Sequence, residues 1–162
     1  EMPELFSRLL IMNTTLGTGD VPLSDGFLAW RAYVAKNPDL ACGKLLARTC
    51  PHLRAEEAAA YDAPFPDTRY KAGARRFPQL VPEHENDPGA AISRKARDWL
   101  KSAWNGESRM AVGAKDPVLG VPVMRVLRSW IRNCPEALVI PSGGHFLQEW
   151  GEEVATWFLS KT

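Results

Sequence analysis

Two titratable residues late in the chain stand where chemistry could be done. Asp116 follows the apolar run in "MAVGAK", and His145 follows "LVIPSGG". A carboxylate that accepts Nδ1–H of an imidazole fixes its tautomer and leaves Nε2 free to take a proton from water or a nucleophile. Each residue also has a plainer reading. "DPVLG" can start a helix, with Asp116 as the cap and Pro117 in the first turn. His145 could be a polar residue at a helix mouth. Their spacing argues for more, because about 30 residues is the length of a strand–helix–strand unit that sets two neighbouring strand ends side by side. The Ser142-Gly143-Gly144 approach adds backbone freedom ahead of the histidine.

The elements that would position this pair are written in the hydrophobic pattern. Residues 108–114 and 137–140 read as strands, and 121–132 and 146–160 as the helices that follow them. A further helix is predicted at 91–102. This alternation predicts a parallel α/β architecture, in which ligands and catalytic groups gather at the carboxyl ends of the strands. Upstream, "RLLIMN" at 8–13 is a continuous apolar run, expected to be a strand buried on both faces. Between them the rhythm changes. Residues 25–36, 42–48 and 54–61 carry helical patterns, and "DAPFPDTRYKAGARRFPQLVPEHENDPGA" reads as proline-bearing connections.

Composition narrows the partners. The 162 residues are 45 % hydrophobic and 24 % charged, with a net charge of +1. That balance offers no charge excess for nucleic acid or an anionic membrane. No apolar run approaches the roughly 20 residues a bilayer requires, and the acidic start is unlike a secretory signal, so a cytoplasmic protein is expected. Three cysteines without CxxC spacing predict reduced packing residues rather than a disulfide framework or zinc site. Position 1 is Glu, and an apolar run begins within a few residues, which reads as a cut through a longer protein.

Taken in order, "DGFLAW", "AAYDAPFPDTRYKAGARRFPQLV", "MAVGAKDPVLG" and "GGHFLQEWGE" resemble the C-terminal half of a haloalkane dehalogenase, over nearly the whole chain. The resemblance implies the last three strands of a mostly parallel α/β-hydrolase sheet with flanking helices, plus an inserted α-helical cap. Residues 1–16 and 93–162 would belong to the main domain and 17–92 to the cap. It also implies an activity. A nucleophilic Asp displaces halide from a small haloalkane, and a His-activated water hydrolyses the resulting alkyl-enzyme ester, with no metal or organic cofactor.

On this resemblance His145 matches the water-activating base and Asp116 the acid that orients it. In another subgroup the acid follows the earlier strand, but here that strand ends in "IMNTT" without a carboxylate. Trp30 matches a cap tryptophan whose indole N–H binds the departing halide, a large, weakly hydrated anion. The plainer reading of Trp30 is a core stripe, since Phe27, Trp30 and Val34 lie at helical spacing. Phe27, Phe77, Pro78, Val81, Val118 and Leu119 match positions that wall the substrate cavity.

The family also requires an H-G-x-P oxyanion segment, the nucleophilic Asp and a second halide-binding Trp, and none of these occurs in the sequence. The expectation is therefore a chain inactive alone, with one exposed sheet edge, that aggregates or pairs with a missing N-terminal half or another copy. Two other readings stand beside this one. An epoxide hydrolase of the same fold would use cap tyrosines, for which Tyr33, Tyr61 and Tyr70 are available. A truncated chain could instead serve as a non-catalytic binding or interaction module.

Overall fold

The computed structural model describes residues 2–160. Its centre is a sheet of three parallel strands in the order β1 (Arg8–Met12), β2 (Glu107–Gly113) and β3 (Leu138–Ile140). Five helices fall between β1 and β2: α1 (Asp25–Lys36), α2 (Cys42–Thr49), α3 (Ala55–Ala60), α4 (Ala72–Leu80) and α5 (Ala90–Ser102). One helix, α6 (Val121–Ser129), joins β2 to β3, and a single 3-10 turn (Leu147–Trp150) leads into α7 (Gly151–Leu159).

Strand β2 shows why the sheet must be covered on both sides. Met110 and Val112 point into a cluster with Trp104, Met124, Leu127, Trp130 and Ile131, against which Trp99 and Leu100 of α5 also pack. The intervening Ala111 faces the other way, onto Ile140, Leu147 and Val154 of the α7 side. This period of two buries alternate residues under different layers. Each fully buried Met or Val contributes about 1.5–3 kcal/mol of apolar burial. Cys134 lies in the first of these clusters and Cys50 is buried at the end of α2, and burial pushes both thiols up from their ordinary value, as it does for half-buried Cys42.

The expected burial of β1 on both faces holds in part: Leu9 and Ile11 pack toward the Met110 and Val112 cluster and Leu10 and Met12 toward that of Ala111. The residues of β1 run from exposed Arg8 to half-buried Leu9–Met12, because among the described residues β1 pairs on one side only, with β2. Helix α4 corrects the reading of its segment as connections alone. Pro78 sits buried inside α4. Helix α6 stops at Ser129 rather than reaching 132; Asn133, with φ 56, and Pro135 follow. The expected terminal helix over 146–160 is divided at Gly151 into the 3-10 turn and α7.

Helix α1 ties the helical insertion to the end of β2. Ser24 caps α1 by accepting from the Phe27 N–H at 3.2 Å, and its hydroxyl donates to the Val118 carbonyl at 3.2 Å. Gly26 lies so near the Pro117 carbonyl that a Cβ would collide with it. On the other side of the insertion, Arg94 and Arg97 of α5 hold the loop after β1 through the Thr18 carbonyl and Asp20, each at 2.8 Å.

Candidate active site

The carboxyl end of β2 and the loop after β3 meet through main chain. Lys115 N–H donates to the Gly143 carbonyl at 2.8 Å and Ala114 N–H to Ile140 at 3.0 Å. At the point of closest approach, a Cβ built on Gly113 would strike the Gly144 carbonyl. Here glycine is needed for proximity rather than for an unusual dihedral.

This junction brings Asp116 and His145 together. His145 Nδ1 lies 2.8 Å from Asp116 Oδ2. The Asp116 side chain is fully buried, whereas 40 % of the His145 side chain reaches solvent. The Asp116 carboxylate is saturated: Oδ2 also accepts from Asn13 Nδ2 at 2.7 Å, and Oδ1 accepts from the N–H groups of Val118 and Leu119 at 2.8 and 3.1 Å. Burial pushes the Asp116 carboxyl up, but the hydrogen bonds from His145, Asn13, Val118 and Leu119 together outweigh it and hold the group below the ordinary carboxylate range. An ionised carboxylate can only accept, so the shared proton sits on Nδ1, which in the neutral imidazole leaves the lone pair on Nε2. Asp116 thus caps the turn at Pro117–Leu119 as well as facing the histidine. Helix α6 has Gly120 at its own N-cap.

Asn13 is the member of this group that the sequence reading passed over. Its backbone is left-handed, φ 32, a conformation asparagine tolerates better than most residues. It is buried at the end of β1, with Nδ2 on Asp116 and Oδ1 accepting from Gly113 N–H at 2.9 Å. One amide therefore bridges two strand ends and the carboxylate. The available signal was a polar residue ending the apolar run "RLLIMN". Asn13→Ala strands the Gly113 N–H and one Asp116 lone pair, and should cost about 1–3 kcal/mol in urea denaturation. A loss below about 0.5 kcal/mol would show the bridge to be dispensable.

A cavity of about 540 Å³ opens between the helical insertion and α6. Phe27, Phe77, Val81 and Leu119 line it, together with Thr14, Val126 and Trp130. Pro78 and Val118 are not in its wall, nor are Trp30, His145 and Asp116. Phe77 is 71 % exposed, so the mouth is broad on that side. Trp30 stacks on Tyr33 with ring centres 6.0 Å apart, and its indole N–H has no hydrogen-bond partner among the described residues. Among those residues no cluster of three or more His, Cys, Asp or Glu is placed to hold a metal ion, and no helix is long and apolar enough to cross a membrane.

No protein-family model matches the chain. Individual proteins do. A haloalkane dehalogenase of Mycolicibacterium paratuberculosis is 37 % identical, covering 99 % of this chain and 54 % of that protein. One of Psychrobacter cryohalolentis is also 37 % identical, covering 96 % and 52 %. The structure of haloalkane dehalogenase DpaA from Paraglaciecola agarilytica NO2, described as tetrameric, superposes with a TM-score of 0.94 at 38 % identity, covering 99 % of this chain and 54 % of that one. The chain spans about half the length of the curated relatives it matches. Its three parallel strands and flanking helices are a C-terminal portion of an α/β-hydrolase fold.

Proposed function

From the premise that this chain is a relative of haloalkane dehalogenases over about half their length, we propose that it supplies the water-activating part of the hydrolytic dehalogenation of small haloalkanes. The observation that carries the reading is the 2.8 Å contact between His145 Nδ1 and the buried, ionised Asp116. In the first step a nucleophilic aspartate outside these 162 residues displaces halide and becomes an alkyl ester. In the second, His145 Nε2 takes a proton from water as the water oxygen attacks the ester carbonyl. The imidazolium gives that proton to the alkoxide oxygen as the acyl C–O bond breaks, which releases the alcohol, and the acid so formed loses its proton to water to regenerate the carboxylate. Asp116 keeps the imidazole in the basic tautomer and stabilises the imidazolium that forms.

On this proposal the nucleophile and the oxyanion donors come from an N-terminal half, in the same polypeptide or a second chain, that also covers the open edge of β1. Residues 17–92 act as the cap, 1–16 and 93–162 belong to the main domain, and the protein works in the cytoplasm. The cavity beside Phe27 and Leu119 takes the alkyl chain, with Pro78 and Val118 in supporting positions. Trp30 donates its indole N–H to the halide. A hydrogen bond to a charged partner contributes about 1.5–3 kcal/mol, so Trp30→Phe should weaken halide binding by roughly 10- to 100-fold, read by halide titration of the assembled protein.

Halide release from small chloro- and bromoalkanes by that assembly tests the function as a whole. Epoxide opening without halide release would overturn it in favour of an epoxide hydrolase. The tyrosines argue against that outcome. The phenol of Tyr61 is engaged with Glu149, while Tyr33 and Tyr70 are 45 % and 60 % exposed.

A further inference from the structure

His145 is held from two directions. Upstream, Gly143 and Gly144 are fixed by main-chain contact with the end of β2. Downstream, the 3-10 turn Leu147–Trp150 begins two residues after the imidazole, and the Leu147 N–H donates to the His145 carbonyl at 2.9 Å. The helical insertion reaches over to this turn and grips it at two adjacent residues, Glu149 and Trp150. The Tyr61 hydroxyl, just past α3, donates to Glu149 Oε1. His52 Nε2, between α2 and α3, lies 3.0 Å from the Glu149 carbonyl, and its ring meets the Trp150 indole edge-on at 4.6 Å. Trp150 in turn donates to Ser142 Oγ at 3.1 Å, closing the loop that carries the histidine.

We propose that Tyr61, acting through Glu149, is a positioning residue for His145: the α2–α3 end of the insertion latches the Leu147–Trp150 turn and so sets the imidazole against Asp116. The contact is chemically one-sided. Glu149 pushes the Tyr61 phenol above its ordinary value, so the hydroxyl stays protonated and remains the donor, with the Gln148 side chain reaching the same phenol. The packing argues for transmission as well. Leu147 is buried against Ile140 and Val154, which leaves a short, packed path from Glu149 to His145. The assignment of a task to His145 rests on the proposed dehalogenation, whereas the latch is a statement about geometry and can be read without turnover.

The test follows the Nδ1 proton shared by His145 and Asp116, in histidine-labelled protein by NMR. Tyr61→Phe keeps the ring and removes the donor; Glu149→Ala removes the acceptor. Each is expected to speed exchange of that proton with solvent by about tenfold, the effect of losing one hydrogen bond of ordinary net strength. The double variant should add nothing, since both changes break one contact. Glu149→Gln, whose amide oxygen still accepts the phenol, should restore slow exchange. Amide exchange in β2 should be unchanged throughout, which general loosening would not allow. Unaltered Nδ1 exchange in either folded single variant overturns the latch, and if Tyr61→Phe fails to fold, Glu149→Ala decides alone. Absence of halide release would count against the proposed function and leave this readout standing.

Discussion

Replacing His145 with glutamine is expected to give an assembly that releases about one halide per site and then stops. On the proposed mechanism, the first step needs only the nucleophile and the halide donors. The second needs a base for water, and glutamine has no lone pair of comparable basicity at that place. Removing a positioned general base costs about 10²- to 10⁴-fold, so the ester should outlive the experiment and appear in intact mass as one added alkyl group. Steady turnover by His145→Gln would remove the histidine from the mechanism. Loss of the initial halide release as well would move its role to the first step.

The second large effect is expected at Asp116. In Asp116→Asn the oxygen that accepts from Val118 and Leu119 can be kept, and the new amide NH₂ then faces Asn13 Nδ2 and His145. Donor meets donor at Asn13. His145 can answer only by moving its proton to Nε2, the nitrogen that must be free to accept. The wrong tautomer alone costs about 10⁴-fold in a comparable acid–histidine pair. Asp116→Ala instead leaves Asn13 and two backbone N–H groups unpaired, each worth about 1–3 kcal/mol when buried.

Stability should follow pH through the same residue. The folded carboxyl binds its proton less tightly than the unfolded one. Its contribution is therefore complete above the unfolded value of about 3.9, and is lost as pH falls through the lower native value. Urea midpoints measured from pH 6 down to pH 3 should decline more steeply for the unaltered protein than for Asp116→Asn. Parallel curves would mean that the carboxylate is not held as described.

How much of this could be read in the sequence depends on how local the cause was. The strands, α1 and the ends of α5 follow hydrophobic period and capping, and those patterns lie within a dozen residues. Asp116 and His145 could be paired because one strand–helix–strand unit has a nearly fixed length. Asn13 could not be found that way, since its bonds reach residues 100 and 103 positions away and a search for carboxylates passes over an amide. Helix α4 was hidden by Pro78, which breaks a pattern read residue by residue but is accommodated near the end of a helix. The contact of Tyr61 with Glu149 spans 88 positions and two layers of the fold, and no local pattern encodes it. The half-exposure of β1 has another origin. Its apolar composition is suited to neighbours on both sides, and the described residues provide one.

The closure at Gly113 also says something about mutational tolerance. Contacts made by side chains can be exchanged for others, and a family can drift through such exchanges. The approach of Gly113 to Gly144 is made of main chain, and every residue with a Cβ is excluded from it by the same collision. In a saturation library, position 113 should therefore be as intolerant as position 145, although it has no side chain with which to react. Its information content is that of a shape, and it would look like a reactive site to any method that counts only permitted letters.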